Sequence, residues 1–408
     1  TVINHTGLIE AQTLKTGERG EVVLLADGGE LKISGNIDVS APVAGAVIPV
    51  ATIDTQSADL QLASTLTLNG EPLPQQPAPA APSDVLPVTR PENPTPAPTA
   101  LLLGGKIVAT GKTVTLEDSA YLNASGKDGG GKVLVGGSYQ NSDPSVYQAT
   151  TVNVAKGARI DVSATEVGAG GTAVVWSDIT NAESVTRFDG TITAQGGKAG
   201  GDGGQVETSG ATLIVGDNAS VNTVAQSSSG NAGTWLLDPT DFSINAGTGA
   251  QTVSNIGTTT LQTNLASGNV SIATADSGAG TGNMVINAPL TWGVYKLSLT
   301  AHGSIKFWDS GVNINGTGTS SLELTAKGGP ITFNGGTITT GGTQIYNGNV
   351  VLGTNVTFTT TNSDITFNGK VDGTTAGTQA LTINQGTKDV WFKGAVGGTT
   401  SLASLSVN

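Results

Sequence analysis

Histidine and cysteine, the side chains that most often carry nucleophilic or zinc chemistry, are scarce in this sequence. The chain has no cysteine and two histidines, His5 and His302, which lie almost 300 residues apart. Because zinc sites and Ser/His/Asp or Cys/His nucleophiles need several such groups close together, neither kind of site is expected. His302 stands where a similar segment has Lys327, so we predict a solvated turn residue there.

Carboxylates are the remaining candidates for catalysis, because polysaccharide cleavage needs two acidic side chains converging on one face. The closest groupings in the sequence are Glu117 with Asp118, Asp238 with Asp241, and Asp364 with Asp372. None of them recurs in neighbouring repeats, as a catalytic groove built from repeats would require. Asp238-Pro-Thr-Asp241 is interpreted as a turn. The acidic residues therefore predict no catalytic site, although an enzyme stays open as an alternative.

Glycine-rich segments offer two further kinds of site. Gly200-Gly-Asp-Gly-Gly204 is similar to the calcium-binding nonapeptide of repeat toxins, but it occurs once and lacks the second aspartate, so a corner turn is predicted. Gly129-Gly-Gly131 lacks the Gly-Lys-Ser/Thr ending of a phosphate-binding loop. No metal ion and no cofactor is therefore expected.

Aromatic side chains are the remaining candidates for ligand contact, because a ring can stack on a sugar. Trp292, Tyr295, Phe307 and Trp308 fall close together in the sequence. Adjacent residues of a strand point to opposite faces, so only one of Phe307 and Trp308 can be inside. The sequence therefore singles out Trp308 as the candidate binding residue.

The composition indicates which elements must position these residues. Of 408 residues, 59 are glycine, 4 % are aromatic and 12 % are charged, and the mixture is poor in helix formers. Such a low charge is unlike a disordered chain, so a long all-β protein is predicted. The net charge of −13 argues against a nucleic-acid partner, and the absence of a long apolar run argues against membrane insertion.

Short alternating strands recur along the chain. Leu297–Phe307 aligns with Leu322–Phe333, and we expect Val356–Phe367 and Leu381–Phe392 to continue the series. Strands of four or five residues bury one face only and must stack coil on coil to form a core. The sequence therefore predicts a right-handed parallel β-helix with Phe307, Phe333, Phe367 and Phe392 in one stack. At about 20 residues per coil, roughly 19 coils are expected.

A proline-rich segment divides the predicted rod. Ten of the 16 prolines lie between Pro72 and Pro98, where they remove backbone donors and favour extended structure. We therefore predict first coils in residues 1–70, a proline-rich loop or linker in 71–100, a β-helix in 101–245 and a repeat region in 246–408.

Several motifs in the middle of the chain carry a family resemblance. They are Gly131–Gln140, Gly170–Asp178, Thr186–Gly197, Gly200–Gly210 and Gly233–Ile244. Their succession resembles the large exoproteins of the filamentous haemagglutinin family, which Gram-negative bacteria secrete by the two-partner route. The stretch from Gly348 to Leu405 resembles the repeat region that follows in such proteins.

The resemblance implies a right-handed β-helix at the cell surface or in the extracellular medium, exported through a β-barrel transporter of the outer membrane. Most members of the family are adhesins, and others scavenge haem, lyse cells or inhibit neighbouring cells. The amino-terminal secretion domain of the family is not seen, and the chain begins without methionine, so an internal segment is expected.

Three functions are consistent with these observations. The first is an adhesin segment that attaches to host or bacterial surface glycans, or to a biofilm matrix. The second is capture of a ligand, such as a matrix polysaccharide or a haem carrier, through the 71–100 insert. The third is a β-helix enzyme that degrades polysaccharide, which would require two acids within roughly 5 to 10 Å on one sheet face.

Overall fold

The computed structural model describes residues 20–41, 101–247, 253–275 and 280–408. It also gives the backbone of five further strands, which are β1 (Val2–His5), β2 (Ile9–Glu10), β5 (Ala51–Thr55), β6 (Asp59–Leu62) and β7 (Leu66–Thr67). The predicted proline-rich loop at 71–100 lies outside the described residues, as does the side chain of His5.

The chain winds in coils, and a typical coil contributes one strand to each of three parallel ladders, which we name the first, second and third faces. Strands are numbered in chain order. The long strands β3 (Glu21–Ile33) and β8 (Lys106–Leu116) cross both the first and the second face. The first face continues with β10 (Lys132–Val135), β13 (Thr172–Trp176), β16 (Gln205–Ser209), β19 (Thr234–Asp238), β22 (Asn269–Ala273), β25 (Lys296–Ala301), β28 (Ser321–Ala326), β31 (Gln344–Asn347), β34 (Ile365–Phe367) and β37 (Val390–Phe392), and β5 pairs with β3 at its other edge.

The second face continues with shorter strands. These are β11 (Thr151–Val154), β14 (Val185–Phe188), β17 (Thr212–Val215), β20 (Phe242–Asn245), β21 (Asn255–Gly257), β23 (Met284–Ile286), β26 (Ile305–Phe307), β29 (Ile331–Phe333), β32 (Val350–Leu352) and β35 (Val371–Gly373).

The third face consists of two separate sheets. The described strands of the earlier sheet are β4 (Asn36–Asp38), β9 (Tyr121–Asn123), β12 (Arg159–Asp161), β15 (Thr191–Thr193) and β18 (Ser220–Asn222), with β2 and β7 beside β4. The later sheet contains β24 (Leu290–Trp292), β27 (Ile314–Gly316), β30 (Thr337–Thr340), β33 (Val356–Thr360), β36 (Ala380–Asn384) and β38 (Ser404–Val407).

This architecture is that of an all-β, parallel β-helix, as the sequence predicts. Alternation places every second side chain inside, as in β25, where buried and half-buried positions alternate along all six residues. One apolar cluster continues through the interior of the described stack, from Val22 on β3 to Ile383 on β36. Each strand therefore buries one face, and the ladder of coils supplies the core that no single coil could form.

Coil length differs between the two halves of the stack. Leu297, Leu322, Gln344, Ile365 and Val390 occupy successive levels of the first face, so these coils take 21 to 25 residues each. Lys132 and Thr172 also occupy successive levels, 40 residues apart, because the 136–150 loop leaves the helix between them. The expectation of about 19 coils is therefore wrong. The first face holds twelve strands in the unbroken series from β3 to β37.

The predicted single stack of four phenylalanines is also wrong, because it divides into two columns. Phe307 stacks on Phe333 on the second face, with ring centroids 4.6 Å apart. Phe367 stacks on Tyr346 and on Phe392 on the first face, at 4.9 and 5.1 Å. The segments at Val356 and Leu381 open on the third face instead of the first, so the later copies are shifted by one face relative to the sequence alignment.

A short helix separates the two sheets of the third face. α1 (Thr258–Asn264) packs against β18 on one side and β24 on the other. Asn264 joins the helix to β18, since its Oδ1 accepts the Val221 N–H at 2.6 Å and its Nδ2 donates to the Ala219 carbonyl. α1 thus takes the place of a strand at one level. No helix in the described part of the chain is long and apolar enough to cross a membrane.

Candidate functional site

Trp308 lies at the corner that follows the second face, directly after β26. Its side chain is 56 % exposed, whereas Phe307 beside it is fully buried. The alternation argument that selected Trp308 as the outward member of the pair is therefore confirmed. Trp308 is held by its backbone, because its N–H donates to the Ile286 carbonyl of the preceding coil.

Asparagines occupy the same corner position on neighbouring coils. Phe307 pairs with residues of the neighbouring second-face strands, and Trp308 follows it directly. Asn245, Asn287 and Asn334 follow the corresponding residues of β20, β23 and β29 in the same way. Asn287 donates to the Asn245 side-chain oxygen at 2.8 Å, and Asn334 donates to the Trp308 carbonyl at 3.1 Å. We name this set, with Trp308, the Trp308 corner. It combines an exposed indole with a row of amides.

One positive charge adjoins the indole. The Lys306 Nζ lies 4.2 Å from the centroid of the Trp308 ring, in cation–π geometry. Asp309 lies on the other side of Trp308 in sequence, and its Oδ1 accepts the Gly311 N–H at 2.8 Å. The corner therefore offers a ring face, amide groups and charges of both signs, a combination suited to the apolar and hydroxyl surfaces of a sugar.

The other aromatic residues of the predicted group do not join Trp308. Trp292 is buried on the third face, where its indole N–H donates to the Tyr295 carbonyl at 2.7 Å. Phe307 belongs to the core. The structure thus brings none of them to the surface beside Trp308, and the partners of Trp308 are Lys306 and the asparagines. The asparagines are far apart in the sequence, so only the pairing register of the strands could have shown that they lie next to Trp308.

The acidic groupings identified in the sequence connect coils. An oxygen of Asp118 accepts the Gly157 N–H, and Asp364 accepts the Asp389 N–H. Asp241 and Asp372 make contacts of the same kind. Asp241 accepts the N–H groups of Thr281 and Asn283, and Asp372 accepts those of Thr399 and Thr400. These carboxylates satisfy backbone donors of the following coil, which is a structural use.

Glu207 is a buried carboxylate that the sequence did not single out. It is fully buried on the outer side of the first face, where its oxygens accept the Gln140 N–H at 2.7 Å and the Ser209 hydroxyl at 2.9 Å. Burial raises the pKa of Glu207, the two hydrogen bonds lower it and the nearby charge of Asp238 raises it, with a net value of about 7. Asp238 lies on the next coil, opposite Ser209.

Glu207 and Asp238 thus form an acid pair on adjacent coils, the arrangement that an enzyme would need. The 136–150 loop covers Glu207, and beside it Val146 of this loop joins an outer apolar cluster with Val108, Leu134, Val174 and Trp176. Trp176 donates its indole N–H to Gln148 of the same loop at 3.1 Å. A polymer therefore has no path to the Glu207 carboxylate in this conformation.

The two predicted turn sites lie at corners of the helix. Gly200 and Gly201 have φ of 149° and 129°, and a Cβ on Gly203 would lie 1.7 Å from the Thr223 carbonyl oxygen, so glycine is required by the close approach of the next coil. His302 is half-buried in the turn after β25. Within the described residues, no three potential metal ligands come together.

Comparison with known proteins adds no family to these observations. No protein-family model matches this chain, and no curated protein is similar to it.

Proposed function

We propose that this chain is an internal segment of an extracellular adhesin similar to the filamentous haemagglutinin family. Two observations support the proposal. The fold is a parallel β-helix, and the succession of motifs between Gly131 and Ile244 resembles that of those exoproteins. Export through a β-barrel transporter of the outer membrane, and a position at the surface of a Gram-negative bacterium, are part of the same proposal.

The Trp308 corner is the observation that carries an attachment role. Its indole is exposed over more than half of its surface, and side-chain amides lie on both neighbouring coils, so a ring face and hydrogen-bonding groups are presented together. Such a surface suits a glycan of a host cell, a bacterial cell or a biofilm matrix. The rod then holds the corner away from the cell.

The test is a pull-down of the 408-residue chain on immobilised bacterial and host polysaccharides, with Trp308→Ala as the variant. We expect Trp308→Ala to lower binding at least tenfold. Trp391→Ala is the matched control, because Trp391 is a second exposed tryptophan, 52 % exposed on β37 of the first face. Equal binding by the wild type and Trp308→Ala would exclude the Trp308 corner as the polysaccharide-binding site.

Two other functions are distinguished by the same assay. Ligand capture through the 71–100 insert predicts that deleting the insert abolishes binding while Trp308→Ala leaves it intact. A polysaccharide-degrading enzyme predicts new reducing ends in the supernatant. Because Glu207 is buried, we favour attachment over polysaccharide degradation.

A further inference from the structure

A groove of about 520 Å³ runs along the earlier sheet of the third face. Its polar lining comes from four consecutive strands, β4, β9, β12 and β15. The residues are Asn36, Tyr121, Arg159, Asp161, Thr191 and Thr193. Since neighbouring strands are about 4.8 Å apart, the four strands span roughly 14 Å along the stack. We name it the third-face groove.

Two outward columns build the groove. Tyr121, Arg159 and Thr191 succeed one another in the ladder, and Asn123, Asp161 and Thr193 form the second column beside them. Asp38 continues the second column on β4. The columns expose aromatic, guanidinium, carboxylate, amide and hydroxyl groups and no aliphatic side chain.

The second column is held rigidly. In each of three successive strands a side-chain oxygen of the column accepts the backbone N–H of the serine two residues later. The pairs are Asp38 with Ser40 at 2.8 Å, Asn123 with Ser125 at 3.0 Å and Asp161 with Ser163 at 2.9 Å. Repetition of this turn on successive coils fixes the spacing of the column. A ligand would therefore meet preorganised groups, which lowers the entropic cost of binding.

The groove is electrostatically mixed. Burial, together with the charges of Asp161 and Asp38, raises the pKa of Tyr121 to about 12, so the phenol keeps its proton at neutral pH. Arg159 is exposed and forms no ion pair within the described part of the chain, which leaves its donors available. Two carboxylates against one guanidinium disfavour a polyanion, whereas vicinal hydroxyls can bond to Arg159 and Asp161 together.

We propose that the third-face groove binds an uncharged, extended polysaccharide whose chain runs along the stack of coils, with a sugar ring against Tyr121. The axial direction follows from the columns, which run along the stack and place one hydrogen-bonding side chain of each column on every strand. This proposal rests on the attachment function proposed above, and it adds a second contact surface on a different face from the Trp308 corner.

The experiment measures binding of N-acetylchitohexaose, an uncharged probe, to the 408-residue chain by calorimetry, with a hyaluronan hexasaccharide as the anionic comparison. Tyr121→Ala and Arg159→Ala are expected to weaken binding of the uncharged probe at least tenfold, and Tyr121→Phe to retain it. Arg187→Ala is the control, because Arg187 is an exposed arginine that faces outward from the second face. Melting curves of each variant separate lost binding from lost folding.

Four results would overturn the proposal. They are no binding of the uncharged probe by the wild type, equal binding by the wild type and both alanine variants, tighter binding of hyaluronan, and release of reducing ends that Asp161→Asn abolishes. The last result would make the groove catalytic, since Asp38 and Asp161 are two levels, or about 10 Å, apart. If Trp308→Ala loses polysaccharide binding while Tyr121→Ala and Arg159→Ala bind as the wild type does, the groove is rejected as a binding site and the attachment function stands.

Discussion

At the scale of single residues, carboxylates and amides hold coils together. Asn283, Asn349 and Asn355 each accept an N–H of the next coil, as Asp241 does, at distances of 2.8 to 3.1 Å. Corner turns leave backbone donors without a ladder partner, and these side chains satisfy them. Acidic residues that look available for chemistry in the sequence are thereby engaged in the fold.

Glu207 gives this protein a pH-dependent stability. Its pKa is about 7 in the folded state, above the ordinary glutamate value of 4.5, so the folded state binds the proton more tightly than the unfolded state does. The stabilisation is complete below about pH 4.5 and is lost as the pH rises through 7. We expect the free energy of unfolding to fall by about 3 kcal/mol across this window because of Glu207.

Glu207→Gln tests this expectation by chemical denaturation between pH 4.5 and 8. The neutral amide keeps an oxygen for the Gln140 N–H, so the variant should be flatter with pH and more stable than the wild type at pH 8. The titratable groups facing Glu207 are Asp238 and Tyr139. Glu183→Gln, at an exposed position, is the control, and parallel profiles for the wild type and Glu207→Gln would contradict the assignment.

At the scale of elements, the aromatic core joins the three faces of the later coils. Phe333 is fully buried, stacks on Phe307 and meets Phe358 of the third face edge-on at 5.2 Å. We expect Phe333→Ala to lower the free energy of unfolding by about 3 to 5 kcal/mol, because the cavity is closed on all sides. Thr332→Ala, on the outward neighbour, should cost much less; equal losses in denaturant titrations would show that the aromatic columns do not stabilise the stack.

The strands themselves were predictable from the sequence, because alternation and glycine corners are local signals. Their assignment to faces was not. The segments at Val356 and Leu381 look like the one at Leu297, yet they lie on another face, since all three faces need the same alternation. α1 escaped prediction as well, because its threonine-rich sequence is a poor helix former and packing between β18 and β24 stabilises it.

At the scale of the whole molecule, the sequence predicted the β-helix and one of its two candidate contact surfaces. Trp308 was found because an exposed indole next to a buried phenylalanine is visible in a strand pattern. The third-face groove was not found, although Tyr121 and Arg159 lie in segments that repeat. The likeness of these segments does predict that they lie side by side, as Tyr121 and Arg159 do, but it does not reveal that their outward side chains line a groove.

The uniform coils of the later half have a mechanical consequence. Each coil bonds only to its two neighbours, so tension between the chain ends should peel coils away one by one. A coil of 21 to 25 residues, at about 3.5 Å per extended residue, would lengthen the molecule by roughly 70 to 90 Å per step. Optical-tweezer traces of the chain should show this staircase, and a single rupture of all coils would contradict it.

If the chain has the proposed attachment role, stepwise lengthening of this kind would absorb the drag of flowing liquid. The folded coils beyond the breaking point keep their shape, so a contact surface on them would stay assembled while the tether extends. Unfolded coils could refold when the force falls, because the last folded coil exposes strand edges on which the next coil can pair.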